Sequence, residues 1–202
     1  SILNYRTDCF FRLQGPDNKV NAMIRIKISK TLEEKIRKGY PWIFHYQVQN
    51  KNIEGKSGDL AVVYDSKNRF LAIGLYDSGS DIRLRILQIH NPVVIDGNFF
   101  AKRFSQALRL RESLPSEGTT GYRVINGEND GFPGLVLDRY ANTIVLKLYT
   151  SAWIPYLDIL ISIFNMLIIN RCKSSFFPEL VTQSIFISYP FCGIILNAYL
   201  GL

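Results

Sequence analysis

The chain has 202 residues, 47% of them apolar, and a formal net charge of +7. That is enough apolar material for one domain or two small ones, which argues against whole-chain disorder, and the excess cation favours a polyanionic partner such as nucleic acid or an anionic membrane surface over a basic surface with no specific partner. Its cysteines, Cys9, Cys172 and Cys192, have no paired spacing of the kind zinc or a redox dithiol needs, and read as ordinary thiols of a reducing cytoplasm. Residues 1–22 contain no apolar stretch long enough for a signal peptide and no clear strand or helix pattern, and are expected to lie outside the folded unit.

From Met23, "MIRIKISK" alternates Ile24, Ile26 and Ile28 with basic residues, the period of a half-buried strand with a cationic outer face. "TLEEKIRKGYPWIFH" predicts a helix capped by Thr31, with Glu33 and Glu34 in the first turn and Arg37 and Lys38 near the end. Gly39 stops it and Pro41 prevents its resumption. Three further strands are predicted at about 60–64, 69–76 and 81–88, separated by the turn sequences "DSKN" and "DSGSD". In the last of these, "DIRLRILQ", Arg83 and Arg85 share one face and Ile82, Leu84 and Ile86 the other. Residues 23–90 therefore predict a small rolled β-sheet or barrel with a positive rim.

After the linker "HNPVVIDGN", a helix is expected over "NFFAKRFSQALRLRESL", residues 98–114, with Phe100, Phe104, Ala107, Leu108 and Leu114 on or near its apolar face. Strands "YRVIN", "LVLDRY" and "TIVLKLYT" follow, the last two joined by a tight turn at Tyr140–Thr143 that makes them antiparallel. "SAWIPYLDILISIFNMLIIN" is nearly all apolar, yet Asp158, Ser162 and Asn165 recur at helical spacing, which suits a helix lying on a sheet. A membrane span is the competing reading of that segment. Residues 171–202 are an apolar tail without a convincing period.

"GENDGFPGLVLDRY", residues 127–140, is the densest candidate site. It imitates the start of a calcium loop, but the position requiring a bidentate carboxylate is Leu137. It lacks the glycine spacing and Lys-Ser/Thr pair of a phosphate loop. Its residues read as turn formers, and no metal is expected. No paired acids, Ser/His/Asp set or Cys/His set has spacing that argues for catalysis. If the polyanion is RNA, the candidate contacts are Arg37, Lys38, His45, Arg69, Arg83 and Arg85. Trp42 and Phe44 read as core, and His45 as half-buried or as a further contact.

"GYPWIFHYQV", "GDLAVVYDSKNRFLAIGLYDSGSDIRLRIL" and "GYRVINGENDGFPGLVLDRYANTIVLKL" resemble, in order and spacing, the N-terminal half of the PUA-domain large-subunit ribosomal RNA methyltransferases. The resemblance covers roughly residues 24–170. It implies an α+β chain: a PUA-like RNA-binding pseudobarrel over 23–90, then a small α/β subdomain over 97–170 of a helix, antiparallel strands and a second helix. It also implies a ribosomal RNA partner and, in the full-length family, S-adenosylmethionine and methyl transfer to cytosine C5. The family's glycine-rich cofactor motif and reactive cysteine are absent from the matching positions, so no cofactor is expected in this chain and no complete Rossmann domain. The expected function is RNA binding by a truncated relative. The alternatives are an active enzyme completed in trans, and a membrane-associated module with residues 153–169 and 185–202 as its hairpin.

Overall fold

In a computed structural model, the structure describes residues 24–50, 53–141, 143–174, 184–188 and 196–199, with side chains described as far as Ile168. Residues 1–22, expected outside the fold, lie outside the described residues. The first unit comprises β1 (Ile24–Ile26), α1 (Lys30–Arg37), β2 (Trp42–Phe44), β3 (Leu60–Tyr64), β4 (Phe70–Tyr76) and β5 (Ile82–Ile89). Its five-stranded sheet has the order β1-β3-β4-β5-β2, with β1 parallel to β3 and the other pairs antiparallel. Register shifts in β2–β5, β3–β4 and β4–β5 bend the sheet around a core that includes Ile26, Ile36, Ile43, Val63, Leu71 and Leu84.

The strand boundaries over 60–89 follow the predicted ones closely because the turn sequences bracket them. The cap of α1 does not. Ser29, not Thr31, is the N-cap, its hydroxyl accepting from the Leu32 N–H at 3.4 Å. Both residues can cap; the deciding factor is that Leu32 and Ile36 must both face the core, which starts the helix earlier. Gly39 then ends it at φ 93°.

The second unit comprises α2 (Gly97–Arg109), β6 (Gly121–Asn126), β7 (Leu135–Tyr140), β8 (Thr143–Leu148), α3 (Leu157–Ser174), β9 (Ser184–Ser188) and β10 (Leu196–Tyr199). Asp96 caps α2 by accepting from the Phe99 N–H at 2.9 Å. The helix is shorter than predicted: it stops at Arg109, and Leu110 stands 78% exposed beyond it. After Leu110 the chain leaves the helix in a series of turns, with Arg111 held against the Ala107 carbonyl and Asp130.

The sheet order is β10-β9-β8-β7-β6. Tyr140 pairs with Thr143, so β7 and β8 form the expected hairpin. β9 runs parallel to β8, which makes β8-α3-β9 a parallel crossover, and β10 returns antiparallel to β9. Strands thus occupy part of the tail where the sequence predicted no element. β9 is hard to read along the chain because its parallel partner β8 lies on the far side of a helical crossover.

α2 and α3 pack together through Phe104 and Phe164, whose rings lie 4.6 Å apart. On α3, Leu160, Ile163, Phe164 and Ile168 are buried while Asp158 and Ser162 are exposed. Residues 151–168 are long and apolar enough to cross a membrane by composition alone, but this burial pattern is that of a helix lying on a sheet. The second half of the proposed membrane hairpin instead contains β9 and β10.

Candidate nucleic-acid interface

The turn between β3 and β4 is built around one carboxylate. Asp65 Oδ1 accepts the backbone N–H groups of Lys67 at 3.0 Å and Arg69 at 2.8 Å, while Oδ2 accepts from Arg37 and from the Arg69 guanidinium, each at 2.9 Å. The Arg69 backbone N–H above all, with its guanidinium and the Lys67 N–H, outweighs the effect of burial and holds this carboxyl at about 2. Beside it, buried Glu33 on α1 accepts from the Ser66 N–H at 2.6 Å. The "DSKN" turn and the end of α1 are therefore locked together. Arg37 and Arg69 converge on one point, with exposed Lys38 and Lys67 next to them.

Lys67 was absent from the sequence-derived set, where it counted only as a turn residue. Its position in the same turn as Arg69 could have suggested it. Neither Lys38 nor Lys67 makes a side-chain hydrogen bond or ion pair among the described residues, and Arg69 is 66% exposed at its side chain. This cluster can meet phosphates without being dismantled.

The other candidates lie elsewhere. His45 and Arg83 flank the 77–81 turn, at the opposite end of β4 and roughly 20 Å away by strand rise. His45 is exposed, not half-buried, with Nδ1 3.7 Å from Asp81. It leads into Tyr46, which is 71% exposed and stacks on Phe44 at 5.6 Å. Phe44 and Trp42 are only partly buried, so the core reading of both is half right. Arg83 donates to the carbonyls of Asp77 and Ser78, holding its own turn.

Arg85 requires a correction. It is 5% exposed, donates to the Ile82 carbonyl at 3.1 Å and lies 3.9 Å from Asp77, inside the junction between the two units. Alternation placed it beside Arg83 correctly; what alternation could not show is that the second unit covers that part of the face.

The junction is extensive. Leu75 and Leu87 of the first unit belong to the apolar core of the second. Asp77 is held below the usual carboxylate range: burial opposes this, but the hydroxyls of Thr150 and Ser57, the Gly79 N–H and the charge of Arg85 outweigh it. Tyr156 donates to the Gly58 carbonyl at 3.0 Å, and burial, with the nearby charge of Asp59, pushes its phenol up to about 12. Arg103 reaches from α2 to the carbonyls of Leu87 and Gly131 and to Gln88, and burial lowers its guanidinium to about 10.

The "GENDG" turn sits at this seam. Glu128 Oε1 accepts from Trp42 Nε1 at 3.0 Å and from the Gly134 N–H at 3.1 Å, and Asp130 takes a bidentate pair from Arg111 at 2.7 and 3.3 Å. The acidic residues thus fasten the turn to both units. No group of three or more metal-type ligands occurs among the described residues. Between the turn, α2 and the α1–β2 loop lies an open cleft of about 420 Å³.

A methyltransferase cofactor would be sought beyond the carboxyl end of a parallel strand. At the end of β8, Tyr149–Trp153 contains no glycine, and Thr150 and Trp153 are buried. Tyr149–Trp153 is therefore not a glycine-rich cofactor turn.

Residues 26–88 match the family model of a PUA-like domain. A ribosomal RNA large subunit methyltransferase from Deinococcus radiodurans is 49% identical over 146 residues, 70% of this chain and 36% of that protein. A ribosomal RNA large subunit methyltransferase I from Photobacterium profundum is 37% identical over 145 residues, again 70% and 36%. The homologues are ribosomal RNA methyltransferases. The chain spans about a third of their length. Among solved structures, one from Streptococcus mutans named as a SAM-dependent methyltransferase superposes with a TM-score of 0.70 at 20% identity, covering 89% of this chain and 44% of that one. Another, named as a methyltransferase complexed with SAH, gives 0.67 at 19% identity, covering 89% and 49%. At these identities the likeness is one of fold.

Proposed function

We propose that this chain supplies RNA recognition within a ribosomal RNA methyltransferase lineage, binding structured large-subunit RNA through its PUA-like unit. The observation that carries the reading is the Asp65 cluster: Arg37 and Arg69 held in place, with Lys38 and Lys67 uncommitted, on a unit that matches a PUA-like domain. Preorganised cations neutralise phosphates with little ordering penalty, and aromatic surface such as Phe44–Tyr46 is available for unpaired bases. The second unit is fastened by the Trp42–Glu128, Arg103 and Asp77 bonds, so it holds the PUA-like sheet in a fixed orientation. Methyl transfer, to cytosine C5 by the resemblance, is not assigned to any described side chain.

The test is binding of the full chain to a large-subunit ribosomal RNA fragment across a range of salt concentrations. Affinity should fall steeply, with a log–log slope of about −0.7 to −0.9 per phosphate contacted. A flat response would overturn the reading.

A further inference from the structure

The cleft between the units has a composition unlike the Asp65 cluster. One wall is Tyr40 and Pro41 from the α1–β2 loop; α2 contributes Gln106, Leu110 follows its last residue, and the "GENDG" turn contributes Glu128 and Asn129. Its one lining guanidinium, Arg103, is taken up by two backbone carbonyls and Gln88, and Asp130 is paired by Arg111. Glu128 commits only Oε1, to Trp42 and Gly134. Among the described residues, its Oε2, the Asn129 amide, the Gln106 amide and the Tyr40 hydroxyl carry no hydrogen bond. Leu110 is 78% exposed at the same cleft.

We infer that this cleft takes one unpaired nucleobase bearing an exocyclic amine, presented by an RNA whose phosphates lie on the cationic cluster. The inference rests on the RNA-binding reading above. A phosphate would meet a carboxylate here and no uncommitted cation, so the occupant is the base and not the backbone. The flat apolar surfaces of Tyr40, Pro41 and Leu110 suit a base face. Glu128 Oε2, which can only accept, suits an amine edge, as carboxylates accept from cytosine N4, while the Asn129 and Gln106 amides beside it supply both an acceptor and a donor. The volume of about 420 Å³ lies within the range of small-ligand clefts. The path is short: Lys38 immediately precedes Gly39, which lines the cleft.

The experiment uses the full chain and three labelled hairpins of otherwise identical sequence: one with a single bulged cytosine, one with a bulged uracil, and one fully paired. The cytosine bulge should bind about tenfold more tightly than the paired hairpin, and the uracil bulge several-fold less tightly than cytosine. Leu110→Ala with Asn129→Ala should reduce that preference several-fold while leaving the salt slope and the melting temperature unchanged, because both side chains are exposed and unpaired among the described residues. Equal affinity for bulged and paired hairpins, or a preference unchanged by both substitutions, overturns the cleft assignment even if salt-dependent binding persists. Loss of salt-dependent binding to all three would instead overturn the RNA reading itself.

Discussion

Asp65 is where chemistry and position are most tightly joined, and its behaviour with pH follows from its bonds. A carboxyl held at about 2 in the fold and near 3.9 when unfolded stabilises the protein fully above about pH 4, and that contribution disappears as pH falls through about 2. Asp65→Asn should therefore lower stability at pH 7, with the gap to the parent narrowing below pH 4; denaturant midpoints at pH 7, 4 and 2.5 would show it. A gap independent of pH would mean that the carboxylate's charge is irrelevant. Gly58 gives a steric counterpart: it sits at φ 100°, and an added Cβ would lie 2.6 Å from Pro155 Cγ. Gly58→Ala should cost about 1–3 kcal/mol, read as a lower melting temperature. Neither effect was legible in the sequence. "DSKN" announced a turn, but not that its aspartate would also hold the end of α1, a contact between residues 37 and 65.

At the scale of elements, the sequence was most informative where turns and alternation agree. β3, β4 and β5 and the β7–β8 hairpin emerged close to their predicted limits because Gly, Asn, Asp and Ser mark their ends. Helix ends were less legible, since α1 has two good capping residues and α2 passes into a series of turns. β9 was hidden because its partner β8 lies across a helical crossover. The junction was invisible for a related reason: Arg85 and Arg103 look like surface cations until the opposite unit is in place. Arg103→Met should expose that role by leaving the Leu87 and Gly131 carbonyls and Gln88 without their donor. The expected loss is about 2–4 kcal/mol in urea unfolding, and a loss below about 0.5 kcal/mol would show that the bonds do not fasten the units.

For the molecule as a whole, the charge of +7 anticipated a polyanion, and the structure divides the six candidate contacts into different roles. Arg37, Lys38 and Arg69 form the cluster, His45 and Arg83 lie at the far end of the sheet, and Arg85 is interior. The "GENDG" turn, expected to be only a turn, also joins the units and borders the cleft. The central claim is that the Asp65 cluster meets RNA phosphates. Its most direct measurement is the salt dependence of binding to a large-subunit ribosomal RNA fragment, for the parent chain and for Lys38→Ala with Lys67→Ala, two exposed side chains without structural bonds. The double substitution should weaken binding uniformly and reduce the log–log salt slope by about two, at unchanged melting temperature. An unchanged slope would contradict the claim.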